Sequence, residues 1–329
     1  MYKKQEFTVS VAPMMDWTDR HCRWFHRQLS RRVLLYTEMV TANAVIHGDR
    51  DYLIGFSPAE HPIALQIGGS EPEALAKAAN IGEDFGYDEI NINIGCPSDR
   101  VQSGRFGACL MAEPDLVAQC YTSMSEAVNI PVTVKCRLGI DDQNLIKTLP
   151  EFIEKVSSAG CKHFIIHARK AWLKGLSPKE NRDVPPLNYE LVKAMKEAYP
   201  ALEIVLNGGL KTIEMAQEES RILDGVMLGR AAYQNPWILT DIDRVFYNDP
   251  AFSKTREHII EELIVYTEQR QTSDRSTKAI IRHIMGIYAG QPGARYWRRT
   301  LSEELARRAA PADIIRRAAQ AMTERGLAA

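Results

Sequence analysis

Eight short apolar segments recur along the first 230 residues, each stopped by a turn residue, and this alternation constrains the fold more than any other feature. The predicted strands are 7–14, 34–40, 62–67, 88–93, 131–137, 163–168, 203–207 and 224–229. Helical patterns fall between them. One runs through Leu29 behind the capping candidates of Asp16-Trp17-Thr18-Asp19, and another starts near Ala42. A third, opened by Ser70 and Glu73 in the spacing of a capping box, reaches Asn80. One more begins near Pro114 ahead of the fifth strand, and another runs through Val156 ahead of the sixth. No hairpin turn separates any two strands. Parallel neighbours need such crossovers, so eight in succession read as an α/β fold of the (β/α)8 TIM-barrel type. The alternative, a doubly wound open sheet, normally carries a glycine-rich fingerprint after its first strand, and Pro13-Met14-Met15-Asp16 is not one.

After Asp249 strand signals stop and helical periodicity runs to the end. From Ala251 onward there are fourteen basic against nine acidic residues, concentrated between Lys278 and Arg317, while the whole chain is at −1. Two domains are therefore expected: a catalytic barrel over 1–248 and a basic, all-helical domain over 249–329. The six cysteines form no C-x-x-C pair, so a structural metal is not expected. The N-terminal charges lack an apolar run behind them, and no uncharged stretch approaches the ~18 residues of a membrane span. A cytoplasmic protein with free thiols, away from membranes and monomeric, is the expectation.

In such a barrel the active site lies at the C-terminal strand ends. Those ends present Met14-Met15, Glu38, Gln66, Asn91/Asn93/Cys96, Lys135/Arg137, His167, Asn207-Gly208-Gly209 and Gly229-Arg230. One such polar residue is commonly structural, but polar groups at nearly every strand end are hard to explain as packing. Glycine turns after the last two strands suit phosphate, with Arg230 as a charged donor. Lys135 and His167 then reach the rest of a phosphate-bearing cofactor. Gln66 matches a pyrimidine-like edge, and Met14 and Met15 seat a flat ring. Together these outline a site for flavin mononucleotide (FMN).

Cys96 stands on a turn, in Asn91-Ile92-Asn93-Ile94-Gly95-Cys96-Pro97, where Gly95 and Pro97 break the strand. Taken alone, a cysteine here serves packing or chemistry equally well. Beside a flavin, an ordinary thiol, mostly protonated at neutral pH, suits a proton donor better than a nucleophile. The other cysteines, 22, 109, 120, 136 and 161, are assigned to packing.

With these residues placed, the chain resembles the flavin-dependent tRNA-dihydrouridine synthases over nearly its whole length. The resemblance is carried by Ala12-Pro13-Met14-Met15-Asp16, Gln66-Ile67-Gly68-Gly69, the Cys96 stretch, Val134-Lys135-Cys136-Arg137-Leu138-Gly139, His167-Ala168-Arg169, Asn207-Gly208-Gly209 and Asp224 to Arg230. Trp17-Thr18-Asp19, Leu176 to Arg182 and Pro185-Pro186-Leu187 resemble the DusA-like branch, which acts on uridines 20 and 20a of the tRNA D-loop. The resemblance implies that NADPH reduces the flavin. Flavin N5 then gives hydride to C6 of a uracil, and Cys96 protonates C5. It further implies that Pro13, Met14, Met15, Gln66, Lys135, His167, Asn207, Gly208, Gly209, Gly229 and Arg230 bind FMN. Asn93 touches the uracil.

A uracil inside folded RNA must be extruded to reach a barrel mouth, and the tRNA backbone needs a basic surface. Lys278, Arg282, Arg295, Arg298 and Arg299 are the candidates in the helical domain, with the pair Tyr296-Trp297 among the last three expected to anchor its helix rather than stack on RNA. Around the mouth the candidates are Arg105, Arg169, Lys170, Lys174 and Arg182. Three other functions compete: an FMN barrel reducing a small free pyrimidine, a lyase using Lys135 as a Schiff-base nucleophile, and a tRNA-binding protein without catalysis.

Overall fold

The computed structural model describes residues 7–270, 279–307 and 309–325. Nine parallel strands are present among them: β1 (Thr8–Val11), β2 (Leu34–Tyr36), β3 (Val40–Thr41), β4 (Ile63–Gly68), β5 (Glu89–Ile94), β6 (Val132–Arg137), β7 (His163–His167), β8 (Glu203–Asn207) and β9 (Gly225–Leu228). They pair in the order β2-β1-β9-β8-β7-β6-β5-β4-β3, and β2 also pairs with β4. Eight strands therefore close on themselves as the expected barrel, and the two-residue β3 extends the end of β4. The predicted strand 34–40 is broken into β2 and β3.

Closure takes both faces of the strands largely out of water. Along β5 all six residues are buried. Ile90, Ile92 and Ile94 pack outward, and a Cβ on Gly82 of the covering helix Pro72–Asp84 would lie 2.6 Å from the Ile90 Cδ1. Glu89, Asn91 and Asn93 point the other way, into the barrel, where they must find partners. An apolar layer (Ala12, Tyr36, Ala64, Ile165, Val205 and Met227) fills part of that interior, with Met14 packed against it. Helices Pro72–Asp84, Pro114–Ala127 and Leu145–Ser158 lie side by side outside. The first of these starts at Pro72 with Glu71 before it and no side-chain cap, so the capping box expected from Ser70 and Glu73 does not form.

Contacts divide the chain into two units: the described residues of Met1–Met15 with Leu34–Gly229, and of Asp16–Val33 with Arg230–Ala329. This grouping departs from the expected boundary at 248/249, because Asp16–Val33 and the residues from Arg230 onward join the C-terminal helices. The reason is chemical. Asp19 caps helix Arg20–Leu29 by accepting from the His21 and Cys22 N–H groups, each at 3.0 Å. Its other oxygen accepts from Arg282 at 3.0 Å and bonds His283 Nε2 at 2.9 Å. Burial alone would raise the Asp19 pKa, but the His283 bond and charge and the Cys22 N–H hold it well below the carboxylate range. At the other end of that helix, Asp243 accepts from the Ser30 hydroxyl and the Arg31 and Arg32 N–H groups. Trp297 is fully buried and donates to the Ile284 carbonyl at 3.0 Å, as an anchor does. Among the described residues no helix is long and apolar enough to cross a membrane.

Candidate active site

The C-terminal ends of β5 to β9 assemble most of the candidate residues. Cys96, two residues past β5, is part-exposed, with Sγ 3.5 Å from Ser98 Oγ. Its backbone is held on both sides. The N–H donates to Asn93 Oδ1 at 2.9 Å, beside the Gly95 N–H at 3.0 Å, and the carbonyl accepts from Ala108 at 2.9 Å. Gly107, at φ +74°, passes so close that a Cβ there would sit 2.6 Å from the Cys96 oxygen. A side chain at this position would push the thiol loop away.

Arg137, the last residue of β6, is buried and ties the loops together. It donates to the carbonyls of Gly95 (2.9 Å), Lys170 (3.1 Å) and Asn181 (3.0 Å). Gln102 adds bonds to Pro97 O at 2.7 Å and Leu173 O at 2.8 Å. The fully buried Asn181 side chain holds the Trp172–Ser177 turn through its own amide. The thiol loop and the long loop after β7 are thus one stitched rim.

Next to it stands the part-buried ammonium of Lys135. Lys135 Nζ donates to Asn207 Oδ1 at 3.1 Å, and Asn207 Nδ2 donates to Met227 O at 2.8 Å. No carboxylate pairs with Lys135 among the described residues. Burial, then the Arg137 charge, pushes its pKa from 10.5 down to about 8. Burial, then the charges of Arg137, Lys135, Arg169 and Arg182, holds His167 well below the usual imidazole range, so it is neutral at pH 7. A desolvated ammonium with one neutral partner is costly unless an anion joins it.

The backbone beside His167 is shaped for close approach. Gly208 (φ +106°) and Gly209 (φ +74°) follow β8; a Cβ on Gly208 would meet His167 Cδ2 at 2.5 Å, and one on Gly209 would meet Leu187 Cδ1 at 2.4 Å. Tyr189 donates to the Gly208 carbonyl at 2.6 Å. A Cβ on Gly229 would meet no atom within 4 Å, so space is open there, and Arg230 follows it in the chain. Pro13 and Met14 are half-buried past the end of β1, while Met15 is 55% exposed. Donor glycines, an unpaired ammonium, a neutral imidazole and an apolar methionine seat fit a phosphate-bearing aromatic cofactor.

Gln66 is buried and already engaged. Its Nε2 donates to Asn91 Oδ1 and its Oε1 accepts from Asn93 Nδ2, both at 2.8 Å. Asn91 Nδ2 donates to Thr133 Oγ1 at 2.8 Å, and Thr133 donates to Glu89 at 2.6 Å. Sequence reasoning named Asn91 and Arg137 only as strand ends and missed Glu89, Thr133 and Tyr189. The available signal was the i, i+2, i+4 spacing of Glu89, Asn91 and Asn93 in a strand buried on both faces.

The basic candidates divide. Arg169 donates to the carbonyls of Asp183 and Pro185. Lys170 donates to Asp141 O at 2.9 Å and lies 3.8 Å over the Trp172 ring. Arg105, Lys174 and Arg182 are exposed. In the second unit, Arg295, Arg298 and Arg299 share helix Ala294–Ala306 and line, with Tyr296, a shallow depression of ≈ 610 Å³. Arg299 is also 3.7 Å from Glu303, and Arg325 lies over the Tyr296 ring. Arg282 is bound to Asp19, and Lys278 lies outside the described residues.

Among the described residues no cluster of His, Cys, Asp or Glu is arranged to hold a metal. Cys120 and Cys136 are buried thiols pushed up to about 12 by burial, and Cys22 and Cys161 are buried as well. Cys109 is part-exposed and raised by burial and then Glu113.

Curated relatives are similar over almost their full length. One from Synechocystis sp. is 53% identical over 313 residues, covering 95% of this chain and 94% of the relative. One from Yersinia pestis is 55% identical over 318 residues (96% and 91%), and one from Shewanella oneidensis is 52% identical over 320 (97% and 95%). Each bears the name tRNA-dihydrouridine(20/20a) synthase. Together with a match of residues 10–323 to the family model for dihydrouridine synthase (Dus), they show that this chain belongs to the dihydrouridine synthase family.

Proposed function

We infer that this chain is an oxidoreductase that reduces the C5–C6 double bond of D-loop uridines in tRNA, at positions 20 and 20a. The observation that carries the reading is the thiol of Cys96, held by its own backbone at the barrel rim beside an ammonium with no anionic partner. Bound FMN supplies the hydride for C6, and NADPH is its reductant. The remaining chemistry belongs to the chain. Lys135, His167, the Gly208-Gly209 backbone, Gly229 and Arg230 hold the cofactor, with Pro13, Met14 and Met15 as the apolar seat. Gln66 and Asn207 present fixed polar edges. Asn93 orients the uracil, and Cys96 Sγ–H gives its proton to C5 as hydride reaches C6. Uracil, NADPH and one proton thereby become dihydrouracil and NADP+.

The target base is flipped out of the tRNA stack to reach the rim. Arg105, Arg169, Lys174 and Arg182 receive the nearby phosphates. Arg295, Arg298 and Arg299, helped by Lys278, hold the RNA backbone from the helical domain. The protein is read as a monomer of the cytoplasm. The test is nucleoside mass spectrometry of unmodified tRNA incubated with the protein, FMN and NADPH. A gain of two hydrogens on uridines 20 and 20a is expected. Reduction of free uracil with tRNA left intact would overturn the reading in favour of a small-pyrimidine enzyme.

A further inference from the structure

The hydrogen bonds inside the barrel form one directed chain from the start of β5 to the thiol loop. We propose that Glu89 is a positioning residue that fixes the direction of this chain, and with it the carbonyl that holds the backbone of Cys96. The proposal rests on the reading of Cys96 as proton donor.

Direction follows from donor and acceptor capacity alone. The hydroxyls of Tyr36 and Thr133 both donate to the same Glu89 oxygen, Oε1. That oxygen accepts twice whether or not the other carries a proton. Thr133 has one hydrogen and has spent it, so toward Asn91 it can only accept, at 2.8 Å from Nδ2. Asn91 therefore turns its carbonyl to Gln66 Nε2, and Gln66 turns its own to Asn93 Nδ2, each at 2.8 Å. What remains to Asn93 is Oδ1, which receives the N–H groups of Gly95 and Cys96. Asn91 and Thr133 are 0% exposed, and Gln66 is 1% exposed, so water has little access to satisfy a reversed arrangement. Were the chain reversed, Asn93 would aim its NH2 at two N–H groups, and the loop would lift away. An acid at the start of β5 thus sets which edge Gln66 and Asn93 present at the mouth and keeps the thiol loop down.

The test compares Thr133→Val, Thr133→Ser and Glu89→Leu. Valine keeps the shape and loses the hydroxyl; serine loses the methyl and keeps the chain. The first readout is hydrogen exchange of the Gly95 and Cys96 amides in flavin-free protein. The second is the tRNA-dependent reoxidation rate of the loaded, reduced protein. Thr133→Val and Glu89→Leu, which removes the acceptor of both hydroxyls, are expected to speed exchange of these two amides at least tenfold and slow reoxidation at least tenfold. Thr133→Ser should restore both to within about threefold of wild type. A serine variant as impaired as the valine one, or unchanged Cys96 exchange in both Thr133→Val and Glu89→Leu, would overturn the proposal. If wild type itself shows no tRNA-dependent reoxidation, the functional reading fails while the exchange data still decide the chain.

Discussion

Replacing Lys135 by methionine removes an ammonium and keeps an unbranched stem that fills the same space. In the ligand-free barrel that ammonium is depressed from 10.5 to about 8, chiefly by burial. At about 1.4 kcal/mol per unit, keeping it charged at pH 7 costs the folded state about 3 kcal/mol. Methionine also forfeits the hydrogen bond to Asn207 Oδ1, a loss of about 1 kcal/mol. Lys135→Met should therefore be more stable than wild type by about 2 kcal/mol when no ligand is bound. The sign with pH follows from proton counting. Between about 8 and 10.5 the unfolded chain holds the lysine proton and the native chain has released it. Wild-type stability consequently rises with pH across that window relative to a variant lacking the group, and the methionine advantage falls to about 0.5 kcal/mol at pH 9.5. Urea unfolding of both ligand-free proteins at pH 7 and 9.5, in matched salt, gives the difference free of other titrating groups. FMN should raise the wild-type midpoint more than that of the variant. A variant less stable than wild type at pH 7, with a gap indifferent to pH, would refute the view of Lys135 as a buried charge awaiting an anion.

Cys96→Ala should retain flavin absorbance and tRNA affinity while losing most turnover, on the scale of 10²–10⁴ expected for a proton donor; steady-state kinetics beside a tRNA binding curve checks this. Gly208→Ala drives a methyl to 2.5 Å from His167 at a φ of +106°, and should weaken FMN retention about tenfold or more. Gly229→Ala, with no neighbour within 4 Å, should leave ligand-free stability unchanged yet lower FMN affinity in titration. Exchanging Arg295, Arg298 and Arg299 for glutamine should weaken tRNA binding and flatten its log–log salt dependence by about 2. An unchanged slope would make that depression plain solvated surface.

The barrel was legible because its signal is local: each stave is a short apolar run with its own stop, such as Gly68-Gly69 or Gly208-Gly209, and closure follows from repetition. Polar strand ends and a cysteine on a broken strand were legible for the same reason. What escaped depended on register. Glu89, Asn91 and Asn93 alternate with isoleucines as they would in a half-exposed strand, and only the pairing of Asn91 with Thr133 reveals a buried chain. Helix Arg20–Leu29 read as a barrel helix because nothing nearby announces that Asp19 meets Arg282 and His283 some 263 residues later. The same contact engages an arginine that composition alone offered to RNA. Pro72 begins its helix one residue too late for Ser70 to cap it.

The measurement closest to the central claim follows the visible flavin bands of purified protein under anaerobic conditions. NADPH should bleach them, and unmodified tRNA should bring them back within seconds to minutes, while tRNA already reduced at uridines 20 and 20a should not. Recolouring that ignores tRNA, or a protein that stays colourless after incubation with FMN, would contradict the account.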